Sequence, residues 1–162
     1  MKSKTIALAG IFTAVAIILH LIESWVPNPL PVPGVKLGLA NIVSLWALYG
    51  LNLPLALLIV ILRVCVGALL AGTFLNFGFF MGLAGGITST LIMALTIRCL
   101  PQASAIGVSI ISAVTHNLAQ LLVASFFLQQ LGVFYYLPIL LLSAVPAGIL
   151  TGYFTNILRR RA

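Results

Sequence analysis

Acidic residues are almost missing from this sequence. Among 162 residues there is no aspartate and a single glutamate, Glu23, set against eight lysines and arginines. Two-metal hydrolysis, aspartyl catalysis and paired-carboxylate acid/base chemistry all need carboxylates that this chain does not have. Charge of either sign is scarce too. Charged residues make up 6% of the chain, where a soluble domain carries about a quarter. The two cysteines, Cys65 and Cys99, fall within or beside apolar runs far apart in sequence, so they read as small buried hydrophobes. Two histidines, His20 and His116, do not make a metal site. No G-x-x-x-x-G-K-[ST] loop is present, so the chain does not bind ATP through a P-loop.

What is present is hydrocarbon. The chain is 62% hydrophobic, with a mean hydropathy of +1.26 and a formal net charge of +7. The basic residues are not clustered on one face, which argues against nucleic acid. They lie mostly at the ends of apolar runs, as in an integral membrane protein. A helical span needs roughly 20 apolar residues, so the whole chain, 1–162, reads as one all-α transmembrane domain of six helices. Punctuation by proline, glycine and charge predicts helices over 4–25, 36–50, 54–71, 77–98, 103–129 and 134–159. Pro54 falls in the first turn of the third, where its missing N–H costs nothing, and Pro138 and Pro146 fall within the sixth. The first run is longer than a signal-peptide core and lacks a clear cleavage site before Glu23, so it reads as a retained helix.

Charge sets the orientation. Lys2 and Lys4 precede the first helix, Arg98 lies between the fourth and fifth, and Arg159, Arg160 and Arg161 follow the sixth. Six crossings put all of them on one side, which must be cytoplasmic. The expected location is the cytoplasmic membrane, crossed several times, with both termini inside. In the fourth helix Gly78, Gly82 and Gly86 recur every four residues beside Gly85, a spacing that lets helices approach closely in lipid; a substrate-facing role for Gly85 and Gly86 is the alternative reading.

Polar residues inside membrane spans are costly and become functional candidates. Arg63 stands near the centre of the third helix and His116 near the centre of the fifth. Gln120 is one turn beyond His116 on the same face, Asn117 is about 100° round, and Asn41 lies in the second helix. Their common depth suggests one polar cavity open to the outer side, with Asn76 and Tyr135 near its outer connections. Two readings of Arg63 stay open: recognition of an anion, or a buried anchor for Glu23. His116 is either an interhelical hydrogen-bonding group or a pocket group. The stretch from Pro27 to Lys36 carries four prolines at alternate positions, which favours an extended strand. It is either a rigid connection or the wall of an outward pocket to which Lys36 offers a charge. Phe74, Phe77, Phe79, Phe80 and Tyr136 read mainly as interfacial aromatics.

These motifs carry a resemblance. Pro33-Gly34-Val35-Lys36-Leu37-Gly38-Leu39-Ala40-Asn41, Leu62-Arg63-Val64, Leu83-Ala84-Gly85-Gly86, His116-Asn117-Leu118-Ala119-Gln120-Leu121 and Tyr135-Tyr136-Leu137-Pro138, in that order, resemble the Gx transporter family. That family is also labelled heptaprenyl diphosphate synthase component I. It is similar to the substrate-binding S components of energy-coupling factor (ECF) transporters, which have six helices and hold their ligand near the outer side. The resemblance implies capture of a small anionic or amphipathic nutrient or cofactor precursor by Lys36, Asn41, Arg63, Asn76, His116, Asn117, Gln120 and Tyr135. It implies no catalysis and no resident cofactor or metal.

Energy would then come from separate ATPase subunits joined through a membrane scaffold. S components dock that scaffold through small-residue faces on their first and third helices. Ala9, Gly10, Thr13 and Ala14 fit on the first. On the third, Gly67, Ala68, Ala71 and Gly72 lie toward the outer half. The other label leads to a different expectation, a non-catalytic membrane partner of polyprenyl diphosphate or quinone synthesis. Polyprenyl synthases of the usual helical kind hold diphosphate through Mg²⁺ on Asp-rich motifs, and this chain has no aspartate. It does not perform that reaction alone.

Overall fold

Local chemistry starts and stops the helices. The Asn52 side chain accepts from the Leu55 N–H (3.1 Å), Asn76 from the Phe79 N–H (2.9 Å) and Ser104 from the Gly107 N–H (3.1 Å). Each satisfies a backbone donor that has no partner in the first turn. At the other ends, Gln129 and Gly72 take left-handed backbone conformations, with φ of 50° and 66°. In a computed structural model, which describes residues 3–25 and 38–161, these signals delimit α1 (Ser3–Trp25), α2 (Leu39–Gly50), α3 (Leu53–Leu70), α4 (Phe77–Cys99), α5 (Ala105–Leu128) and α6 (Leu137–Arg161). A six-residue 3-10 helix, Leu131–Tyr136, leads into α6. There is no strand among the described residues.

The all-helical expectation holds, and the boundaries agree to within a few residues. The differences have local causes. The chain after α5 tightens into the 3-10 turn before Pro138, so α6 begins at Leu137 rather than 134. Pro138 therefore sits in the first turn of α6, and Pro146 is the one proline inside it. Among the described residues five segments are long and apolar enough to cross a membrane, supporting a multi-pass membrane protein. The exception is α2. Its 12 residues span about 18 Å at 1.5 Å per residue, short of a hydrocarbon core of about 30 Å.

The helices pack with α5 between α4 and α6, and α1 against α3. The short α2 touches α1, α3, α4 and α6. Two apolar clusters close the end that holds the α2–α3 and α4–α5 connections. One joins Phe12, Ala16, Val43, Ala47, Ala56 and Ile59, and the other Leu45, Met93, Ala105 and Val108. At that end the Arg159 guanidinium lies 4.0 Å from the centre of the Tyr49 ring. At the opposite end, Val64, Ala68 and Phe79 form one cluster and Leu121 and Leu140 another. The polar side chains lie between these two apolar ends.

Two glycines of α6 lie directly against the backbone of α5. A Cβ on Gly148 would come 2.6 Å from the Ile110 Cα, and one on Gly152 2.4 Å from the Ile106 Cα. The sequence reading placed the packing glycines on α4. Those of α4 act differently, receiving side chains rather than a helix backbone. A Cβ on Gly86 would meet Val60 at 2.8 Å, while Gly78 faces only the Asn76 side chain of its own cap.

Candidate functional site

Arg63 is nine-tenths or more buried, at 4% exposure, halfway along α3. Such a guanidinium must find polar partners or destabilise the fold. Its Nη2 donates to the Asn41 Oδ1 at 2.8 Å, and its Nε has no hydrogen-bond partner among the described residues. Glu23 of α1 is near enough for its charge to act on Arg63. The same carboxylate accepts a hydrogen bond from the Gly38 N–H at the start of α2. The one acid thus bonds the N-terminal end of α2 and lines the same compartment as the guanidinium. Gly38 has φ of 75°, a left-handed conformation that glycine adopts without steric cost.

These groups enclose a compartment lined by His20, Glu23, Gly38, Asn41, Arg63, Val64, Gly82 and His116. Two glycines make room for its imidazoles. A Cβ on Gly67 would lie 2.5 Å from the His20 ring, and one on Gly85 2.8 Å from the His116 ring. Gly86 makes room for Val60 instead: a Cβ there would meet that side chain at 2.8 Å, whereas the Arg63 Nη2, at 3.6 Å, would be in ordinary contact. The two imidazoles fit against the bundle because α3 and α4 offer notches at Gly67 and Gly85.

A second compartment shares Gly38, Asn41 and His116 with the first and extends between α4, α5 and α6. Its resting interior is small, about 30 Å³, so anything larger than a water-sized group must widen it. Its polar walls are Ser109, Ser112, Asn117, Ser143 and Thr151. Asn117 is fixed by a hydrogen bond from its Nδ2 to the Leu140 carbonyl of α6, at 2.9 Å.

The structure therefore brings together four of the candidates, Asn41, Arg63, His116 and Asn117. Gln120 is buried one turn away on α5, with no partner for its Oε1 among the described residues, and it lines neither compartment. Asn76 is the cap of α4. Tyr135, 90% exposed, sits on the 3-10 helix beside a separate shallow recess with Leu131, Gly132 and Phe134. Lys36 and the proline-rich stretch lie outside the described residues. Of the aromatics, Phe79 is buried, while Phe77 and Phe80 meet Phe127 of α5 edge-on or tilted, with centroids 5.7 and 5.3 Å apart. Among the described residues there is no group of three or more metal-ligating side chains.

The sequence reading passed over Ser109, Ser112 and Gly38 as pocket residues. A signal existed for the serines: Ser109, Ser112 and His116 follow the i, i+3, i+7 spacing of one helix face. On α1, Gly10 and Ala14 are exposed and Ala9 and Thr13 half-buried, and the Thr13 hydroxyl donates to the Ala9 carbonyl at 2.8 Å. Gly67 and Ala68 of α3 are buried and so contribute to internal packing.

No curated protein and no solved structure is significantly similar to the chain. A family model described as heptaprenyl diphosphate synthase component I matches residues 12–158. With that match spanning nearly all of the chain, the protein belongs to the heptaprenyl diphosphate synthase component I family.

Proposed function

We propose that the protein is the substrate-binding membrane component of an ECF-type uptake system. It captures a small anionic or amphipathic nutrient or cofactor precursor in the compartment around Arg63. The observation that carries this reading is the buried guanidinium itself. It lines a compartment, is held in place by Asn41, and keeps an Nε donor without a partner among the described residues. A purely structural arginine would be expected to spend all its donors on the fold, because an unmet buried donor is destabilising. Glu23 keeps the resting site close to neutral, and a ligand anion would compete with it for Arg63. The chain binds and does not catalyse. ATP hydrolysis belongs to partner subunits, which a scaffold reaches through the face formed by Ala9, Gly10, Thr13 and Ala14.

The test separates binding from folding. Arg63→Ala is expected to abolish uptake and ligand retention while the protein still elutes as a folded, monodisperse species. Loss of the folded protein instead assigns Arg63 to anchoring Glu23 and α2. Identification by mass spectrometry of the small molecule that co-purifies with the wild type, and is absent from the variant, completes the test.

The family description favours a second reading, a non-catalytic membrane partner in a heptaprenyl diphosphate synthase complex. Without aspartate the chain does not supply Asp-rich Mg²⁺ sites, so it would position or recruit the catalytic subunit. Recovery of the tagged protein with a soluble prenyl synthase, and not with ATPase and scaffold subunits, decides for this reading.

A further inference from the structure

The two compartments differ in chemistry. Arg63 and Glu23 line only the first, and the second has no charged residue in its wall. Its hydroxyls fall into two kinds. Ser143 and Thr151 donate to carbonyls of their own helix, Leu140 and Ala147, each at 2.8 Å, the usual way a membrane helix disposes of a hydroxyl. Ser109 and Ser112 do not. They are 2% and 1% exposed, and neither Oγ has a hydrogen-bond partner among the described residues. They stand one turn apart on one face of α5 and line the same space. Each offers a donor and acceptor sites, and burial without a partner is costly for both.

The geometry points to a bipartite ligand. Its anionic end lies at Arg63, and an uncharged part with paired donors and acceptors, such as vicinal hydroxyls or a cyclic amide, lies against Ser109 and Ser112. This rests on the binding reading above and narrows its substrate class. A prenyl chain in the second compartment would leave both hydroxyls unpaired, whereas a polyol or an amide ring would satisfy them. Asn41 and His116, in the wall of both compartments, sit where the two parts of the ligand join.

Calorimetric titration of the full-length protein in nanodiscs tests this with ribose 5-phosphate, orotate and geranyl diphosphate, using inorganic phosphate and acetate as anion-only references. Ribose 5-phosphate or orotate is expected to bind on the order of tenfold or more tighter than its reference, the value of well-made hydrogen bonds in a desolvated site. Ser109→Ala/Ser112→Ala removes that margin, each single variant removes part of it, and phosphate affinity stays unchanged, which also reports an intact fold. The proposal is overturned if the margin survives in the double variant, if neither probe exceeds its reference, or if geranyl diphosphate exceeds both. In those cases the reading of Arg63 still stands, provided that Arg63→Gln abolishes phosphate binding. If none of the five compounds binds the wild type at millimolar concentration, both readings fail.

Discussion

Gly67 and Gly85 show how much of this site depends on single missing side chains. Each is a notch that an imidazole fills, His20 in one and His116 in the other. An alanine at either position pushes the ring out of the compartment or forces α1 or α5 away. Overpacking of this kind costs about 1–3 kcal/mol. Gly67→Ala and Gly85→Ala are therefore expected to lower the thermal unfolding midpoint in detergent, with loss of ligand retention. Gly10→Ala serves as the control, since a Cβ there meets nothing within 4 Å. The burial of Arg63 was legible in the sequence, because it is a charge without a topological task in the middle of a span. Glu23 was legible as a candidate partner, being the one acid in the chain, but Asn41 was not. Asn41 lies 22 residues earlier on another helix, so only the convergence of α2 and α3 shows which group accepts from the guanidinium.

At the scale of the element, caps and helix contacts do different jobs. Ser104 and Asn76 each hold the first turn of a helix. Replacing such a cap with alanine costs about 1 kcal/mol. Asn76→Ala is thus expected to lower stability, with Asn76→Asp largely restoring it, and a chemical unfolding series on the three proteins checks this. Gly148 and Gly152 face the backbone of α5, which cannot rotate aside as an imidazole can. Alanine at either is expected to cost more than at Gly85, about 3 kcal/mol or above, read as the larger fall in unfolding midpoint. Helix existence was visible from proline, glycine and hydropathy. The small-residue pattern on α4 was visible too, but not what fills it, because the same spacing suits a helix backbone or a side chain. The pair on α6 that does meet a backbone is an ordinary i, i+4 repeat and carries no further mark.

For the molecule as a whole, the arrangement puts polar chemistry in the middle and apolar clusters at both ends. The helix α1 is peripheral, with only Phe12 and Ala16 fully buried. Its Gly10–Ala14 face can therefore change without disturbing the bundle. Gly10→Leu is expected to leave the unfolding free energy within about 0.5 kcal/mol of wild type, as at an uncrowded surface position, and, if the uptake proposal holds, to abolish co-purification of the scaffold. The orientation predicted from charge has its own check. Cys99 is exposed at the end of α4 that carries Arg98, and Cys65 is only partly so. A membrane-impermeant maleimide is expected to leave Cys99 unlabelled in intact cells and to label it after permeabilisation. Labelling of intact cells would reverse the assigned orientation.

The near-absence of acid and the placement of bases at the ends of apolar runs were enough to determine a helical membrane protein, its helix order and the polar positions worth watching. Hydropathy, caps and breakers are local properties, and local properties survive in the linear sequence. Only the tertiary structure decided that Glu23, Asn41 and Arg63 share one compartment, that Ser109 and Ser112 open a second, and that Tyr135 and Asn76 lie apart from both. Which polar groups meet depends on how each helix is rotated and how closely it approaches its neighbours. Those quantities are set by glycine notches and side-chain fit between segments far apart in the chain. Even the lone acid has a meaning that depends on packing: Glu23 bonds the N-terminal end of α2 and lines the compartment of Arg63.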